Sequence, residues 1–210
     1  MPLRAVLFDF DGTLADSYPA ITASVNHVRA AHAQPPLSVD EVRRHVGRGL
    51  PHLLQNCVPG TDLDADSRLY REHHPSVLES GTVLLPGAAD TLRELHRRGL
   101  ALAVCSNKPK QFTETLVRLL GIAPFFAAVF GPQDVPRPKP APDMLLHAIR
   151  TLGVAAADAL YVGDMTVDIE TARGAGVPVW VVPTGSDTRA ALEAGKPDRI
   201  INSLLEILRD

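Results

Sequence analysis

Residues 3–13 read Leu-Arg-Ala-Val-Leu-Phe-Asp-Phe-Asp-Gly-Thr. The run from Leu3 to Phe8 is short, of strand length and mostly apolar, and Asp9-Phe10-Asp11-Gly12 stops it. A run of this kind predicts a strand buried on both faces of a parallel sheet. Ligands of such sheets bind beyond the carboxyl ends of the strands. Asp9 and Asp11 therefore stand where chemistry is expected, although a strand-end turn alone accounts for two aspartates and a glycine.

Outward from this stretch, the chain changes character twice. A helix follows the turn, with Asp16 or Ser17 available to cap it and Pro19 in its first turn. Ser38-Val39-Asp40-Glu41 has the spacing of a capping box. No strand-like run appears from about Leu37 to Glu79, and residues 16–82 read as a helical insertion. After Pro86-Gly87 the pattern alternates: helix 88–98, strand 100–105, helix 110–120, strand 127–130, helix 142–152, strand 159–163, helix 166–174, strand 177–182, a helix to 194 and a short strand at 199–201. Alternation of this length predicts a parallel sheet with helices on both faces.

Composition sets outer limits. The chain has 210 residues, 45% of them hydrophobic and 21% charged, with a formal net charge of −3. That balance gives no electrostatic reason to expect nucleic acid as a partner. No apolar stretch reaches the length of a bilayer span, and Met1-Pro2-Leu3-Arg4 does not open a signal peptide. Two cysteines, Cys57 and Cys105, make no disulfide framework, so the expected compartment is the cytoplasm. Cys105 and Trp180 read as core. The adjacent His73 and His74 point in different directions on a helix and are expected in solvent.

Four strand ends carry polar groups: Asp9, Asp11, Gly12 and Thr13; Ser106, Asn107 and Lys108; the loop bearing Lys139; and Gly163, Asp164 and Asp168. Crowded carboxylates raise one another's pKa and repel an anionic substrate. A divalent cation resolves both problems, and the all-oxygen donors favour Mg2+ over zinc. Lys139 can neutralise phosphate, Ser106 and Thr13 can donate to it, and the amides of Phe10 to Gly12 can cradle it. An aspartate beside a metal can attack phosphorus, and a second, two residues on, can carry the proton.

DFDGT at 9–13, Ser106 in VCSNK, Lys139 in RPKPAPD and GDMTVD at 163–168 resemble, in order, the four motifs of the haloacid dehalogenase superfamily. The resemblance covers essentially the whole chain. It implies a Rossmann-like catalytic core at 1–15 and 83–210 and an inserted α-helical cap at 16–82. It implies Asp9 as nucleophile, Asp11 as general acid/base, and metal held by Asp9, Asp164 and the Asp11 carbonyl. Asp168 would orient a metal-bound water or Lys139, next to Gly163. Ser106 and Lys139 would hold phosphate, while Arg48, between Gly47 and Gly49, would reach the substrate from the cap. Met165 and Thr166 stand where short polar residues are usual in the family.

The stretches DGTLADSYPAITASVN, PPLSVDEVRRHVGRGL and SNKPKQF are similar to the phosphoglycolate phosphatases within that superfamily. The implied partner is a small phosphorylated metabolite, with 2-phosphoglycolate first and nucleoside monophosphates, sugar phosphates and pyrophosphate as alternatives. The implied assembly is a monomer or homodimer. Thr13 stands where related phosphomutases often carry valine. Asp11 is absent from metal-free dehalogenases, and residues 16–85 contain no lysine for phosphonate hydrolysis. A non-catalytic phosphate-binding module is the alternative of another class.

Overall fold

The computed structural model describes residues 3–209; Met1, Pro2 and Asp210, which close the expected core segments, lie outside them. Strand β1 (Ala5–Phe8) leads through a turn at 9–15 into a two-residue strand, β2 (Ala15–Asp16). Helices α1 (Tyr18–Ala31), α2 (Val39–Arg43), α3 (Leu50–Cys57) and α4 (Leu63–His73) come next, then a 3-10 turn at His74–Ser76 and a second two-residue strand, β3 (Val83–Leu84). Alternation resumes with α5 (Ala88–Arg97), β4 (Ala101–Cys105), α6 (Lys110–Leu119), β5 (Ala128–Phe130), α7 (Asp143–Leu152), β6 (Ala159–Gly163), α8 (Thr166–Ala175), β7 (Val179–Val181), α9 (Arg189–Gly195) and β8 (Arg199–Ile200).

Six strands form one sheet in the order β5-β4-β1-β6-β7-β8, with every pairing parallel. β1 lies between β4 and β6, so the chain winds outward on one side of β1 and then returns to wind outward on the other. That reversal opens a crevice at the carboxyl ends of β1, β4 and β6.

The strand faces explain why β1 reads as continuously apolar. Val6 and Phe8 join one core cluster, while Ala5 and Leu7 join the other. All four are fully buried. The Ala5 side packs against α7 and α8 through small residues, Ala148, Ala159 and Ala172 among them. The Phe8 side is bulkier and runs without a break from Leu92 and Leu95 of α5 to Val25, Val28 and Leu54 of the inserted helices. The insertion thus shares a hydrophobic cluster with one face of the sheet. Burying each large side chain of this cluster stabilises the fold by roughly 1.5–3 kcal/mol.

β2 and β3 pair antiparallel, Ala15 with Leu84 and Asp16 with Val83. They bracket the inserted helices, and the helical reading of 16–82 missed Asp16 because two residues show no periodicity. The Ser38–Glu41 capping box forms: Ser38 Oγ accepts from the Glu41 N–H, and the Ser38 N–H donates to Glu41 Oε2 at 2.8 Å. His74 corrects the sequence expectation. It is fully buried, stacked on Tyr70 and edge-on to Phe112. The helix ends at His73 and the chain tightens there into the 3-10 turn, which carries His74 inward. His73 is half-buried and stacks on His27 at 4.1 Å between ring centroids.

Leu92 is fully buried and Leu119 is 47% exposed. Leu92→Ala is expected to cost about 2–5 kcal/mol in denaturant unfolding. Leu119→Ala is expected to stay within about 0.5 kcal/mol.

Candidate active site

Lys139 is the hinge of the site. The loop between β5 and α7 brings its ammonium to the sheet centre with the side chain fully buried. Nζ lies 2.9 Å from Asp9 Oδ2, 2.7 Å from Asp168 Oδ1 and 2.9 Å from the Tyr161 hydroxyl. Burial opposes its charge, but Asp168 and Asp9 outweigh burial and hold the ammonium above the ordinary lysine pKa. Asp9 Oδ1 accepts from the Phe10 N–H at 2.7 Å, and Ser106 hydrogen-bonds the same carboxylate. Ser106 does not cap a helix, since α6 begins at Lys110 after Pro109.

Asp164 and Asp168 follow β6. Asp168 Oδ2 accepts from the N–H groups of Asp164 (3.1 Å) and Met165 (3.0 Å), and its Oδ1 accepts from Tyr161 at 2.9 Å. Asp168 is therefore saturated and positions Lys139 from behind. Gly163 leaves it room, because a Cβ there would sit 2.4 Å from the Asp168 carboxyl. Asp164 Oδ1 accepts from the Thr13 hydroxyl at 2.8 Å and its Oδ2 from the Ser186 N–H at 3.2 Å.

Oxygens of Asp9, Asp164 and Asp168 lie within 4.8 Å of one another, all buried. Three carboxylates face one ammonium, which leaves two negative charges if all are ionised. The protein alone does not balance them, and the pKa values register this. Burial is the largest influence on Asp9; against the pull of Lys139 it pushes the group up to about 6. Burial, then Asp168 and Asp9, hold Asp164 well above the carboxylate range. One divalent cation matches the excess charge, and oxygen donors alone suit a hard ion. The residues present fit such an ion.

Asp11 stands to one side of this cluster. Ser17 donates to its Oδ1, and Lys108 Nζ lies 3.2 Å from Oδ1 and 3.4 Å from Oδ2. Asp9, Asp11, Ser106, Asn107 and Lys108 share one cavity, roofed by Ile21, Val46, Leu50 and Leu53 of the insertion. Asn107 ties this roof to the floor. Its Nδ2 donates to the Gly47 carbonyl (3.1 Å) and the Lys139 carbonyl (2.9 Å), and its Oδ1 accepts from the Lys139 N–H at 3.0 Å. Asn107 is thus a tie between loops, with its side chain already engaged.

Other expected residues sit differently. Arg48 is exposed and absent from the cavity wall, which Gly47 and Gly49 line instead. Gly47 has a φ of +106° and approaches so closely that a Cβ there would meet Met165 Sδ at 2.1 Å. The backbone, not the arginine, comes to the site. Thr13 points at Asp164 rather than into the cavity. The expected amide cradle is partly spent: the Phe10 N–H goes to Asp9 and the Gly12 N–H to the Ala15 carbonyl. Gly12, at φ +84°, is required for a different reason, since a Cβ would collide with the Tyr18 hydroxyl and Asp164.

Several contributors were not anticipated. Tyr161 braces Lys139 and Asp168, and Tyr18 closes the turn beside Asp164. Thr184 to Ser186, after β7, touches both Gly12 and Asp164: the Thr184 hydroxyl donates to the Gly12 carbonyl at 2.6 Å. Polar residues after a fifth strand were the available signal.

A folded Asp9 keeps its proton to about pH 6, whereas an unfolded aspartate loses it near 3.8. Stability from this group is present at low pH and lost as pH rises through about 6, and Asp164 acts in the same direction. A bound cation removes that penalty. Magnesium chloride at saturating concentration is therefore expected to raise Tm by several degrees at about pH 7.5 and by much less at about pH 5. Equal shifts at both pH values would contradict the charge imbalance.

Residues 6–182 match the family model of haloacid dehalogenase-like hydrolases. The chain is 33% identical to a phosphoglycolate phosphatase of Escherichia coli (strain K12), over 98% of this chain and 91% of that protein. It is 31% identical to phosphoglycolate phosphatase 1 of Pseudomonas aeruginosa, over 98% and 78% respectively. Among solved structures, a predicted phosphoglycolate phosphatase from Haemophilus somnus 129pt superposes with a TM-score of 0.93 at 28% identity, covering 99% of this chain and 97% of that one. CbbY from Rhodobacter sphaeroides, solved with phosphate, superposes with a TM-score of 0.85 at 26% identity, covering 98% and 96%. The ordered motifs, the parallel sheet and these matches agree: the chain belongs to the haloacid dehalogenase-like hydrolases.

Proposed function

We infer that this chain hydrolyses a small phosphomonoester, with 2-phosphoglycolate as its first substrate, through a phosphorylated Asp9. The observation that carries this reading is the shared cavity of Asp9, Asp11, Ser106 and Lys108, with Lys139 directly behind Asp9. The near full-length likeness to curated phosphoglycolate phosphatases supports the choice of substrate. Residues 16–82 act in this proposal as a cap on a core of 1–15 and 83–210. The free, buried thiols of Cys57 and Cys105 support a cytoplasmic setting. The proposed assembly is a monomer or a homodimer, and every residue given a role here comes from one chain.

The chemistry follows from the side chains. An Asp9 oxygen attacks phosphorus, and the bond from phosphorus to the leaving alcohol breaks. Asp11, held at the cavity wall by Ser17 and Lys108, gives its proton to the departing oxygen. Asp11 is then a carboxylate and takes a proton from the incoming water, which attacks phosphorus and breaks the bond to Asp9. Phosphate leaves, and both aspartates return to their starting states. Ser106 and Lys108 bind the phosphoryl oxygens, while Lys139, fixed by Asp168 and Tyr161, orients Asp9 and offsets charge. Mg2+, held by Asp9, Asp164 and the Asp11 carbonyl, supplies further neutralisation of the transferring group when bound. Arg48, exposed on the cap, takes no part in this scheme.

A panel of phosphomonoesters assayed with magnesium and with chelator tests the reading. Phosphate release is expected to be fastest from 2-phosphoglycolate and to vanish with chelator. Asp9→Asn is expected to lower kcat by about 10³-fold or more, and Asp11→Asn to do so by about 10²–10⁴-fold. Full activity of Asp9→Asn would remove the nucleophile, and isomerised sugar phosphate without free phosphate would make the protein a mutase.

A further inference from the structure

His74 is buried, lines the same cavity as Asp9, Asp11 and Lys108, and has no role in the scheme above. Three sides of its ring are occupied. Tyr70 stacks on one face at 4.8 Å, and Phe112 meets it edge-on at 4.8 Å. Its Nδ1 lies 2.8 Å from Ser24 Oγ. The remaining edge carries Nε2, which is buried and has no partner. A buried imidazole nitrogen without a hydrogen bond costs about 1–3 kcal/mol, so its retention beside a ligand cavity points to a ligand.

We propose that His74 is a specificity-determining residue whose Nε2–H donates to an acidic group on the leaving alcohol, so that the enzyme selects phosphomonoesters of hydroxy acids. The inference rests on the phosphatase reading above and names the feature of the substrate that the cap recognises. Ser24 Oγ lies 2.8 Å from His74 Nδ1 and 3.2 Å from His73 Nδ1. The proposal requires the arrangement in which Ser24 accepts from His73 and donates to His74, which leaves the His74 proton on Nε2. Burial, then Lys108 and His73, push the His74 pKa down to about 2, so the ring stays neutral and donates as a neutral group. Lys108, on the same wall and assigned above to the phosphoryl oxygens, adds positive charge to the cavity that a nearby carboxylate also feels. Ile21, Leu50 and Leu53 leave much of the roof apolar, and the polar side chains the cap presents there are His74 and Tyr70, stacked on one another.

The test compares 2-phosphoglycolate with ethyl phosphate, which has the same chain length but no carboxylate. The readout is the ratio of the two kcat/KM values on one preparation, which does not depend on the fraction folded. His74→Leu is expected to lower this ratio by about tenfold or more, through KM for 2-phosphoglycolate rather than kcat. His74→Gln places an amide N–H near the Nε2 position and is expected to keep most of the ratio. Ser24→Ala, which frees the tautomer, is expected to lower it less than His74→Leu. Equal falls for the leucine and glutamine variants, or no fall for either, would overturn the proposal. An unaltered enzyme with no preference between the substrates would instead overturn the substrate reading on which it rests.

Discussion

One buried ammonium, Lys139, stands against three buried carboxylates, and most of the site is arranged around that imbalance. Asp168 spends all its hydrogen-bonding capacity on Lys139, Tyr161 and two backbone amides, so it cannot relax the deficit. Asp9 and Asp164 carry the remaining strain as raised pKa values. Removing one partner from a buried charged network typically costs several kcal/mol. The same imbalance that burdens the metal-free fold creates a place for a divalent cation and a phosphoryl group. Catalytic readiness and apo instability are two consequences of one charge count.

The fold supplies what this arrangement needs. A central strand buried on both faces puts Asp9 at the meeting point of three strand ends, and a parallel sheet makes those ends face the same way. The inserted helices pack on the Phe8 side of that point, sharing a hydrophobic cluster with the sheet. Asn107 joins the cap loop at Gly47 to the Lys139 loop. The result is a cavity with a charged floor and a mostly apolar roof. In the proposed scheme floor and roof have separate tasks: the floor handles phosphate, and the roof discriminates among the alcohols attached to it.

The residue pattern revealed the sheet because β1 is apolar at every position and because glycines and prolines punctuate the later helices. It placed Asp9, Asp11, Ser106 and Asp164 at strand ends and Lys139 on the loop after a strand, which is where the structure has them. It did not reveal what each polar side chain contacts. Thr13 and Asn107 have the right residue types for phosphate, yet one supports Asp164 and the other ties two loops. Arg48 has the right charge, but its glycine neighbours decide which part of that loop approaches the core. His74 was misread because a change from α-helix to 3-10 turn between neighbouring residues leaves no mark on periodicity. β2 and β3 are too short to show any.

The central claim is that Asp9 carries the phosphoryl group. The most direct measurement is an acid quench of the Asp11→Asn variant during turnover of 2-phosphoglycolate, followed by peptide mass spectrometry. With hydrolysis of the intermediate slowed, the peptide containing Asp9 should gain one phosphoryl mass, labile to hydroxylamine as an acyl phosphate is. A phosphoryl group found instead on Ser106, or slow continued turnover with Asp9 never labelled, would contradict the account.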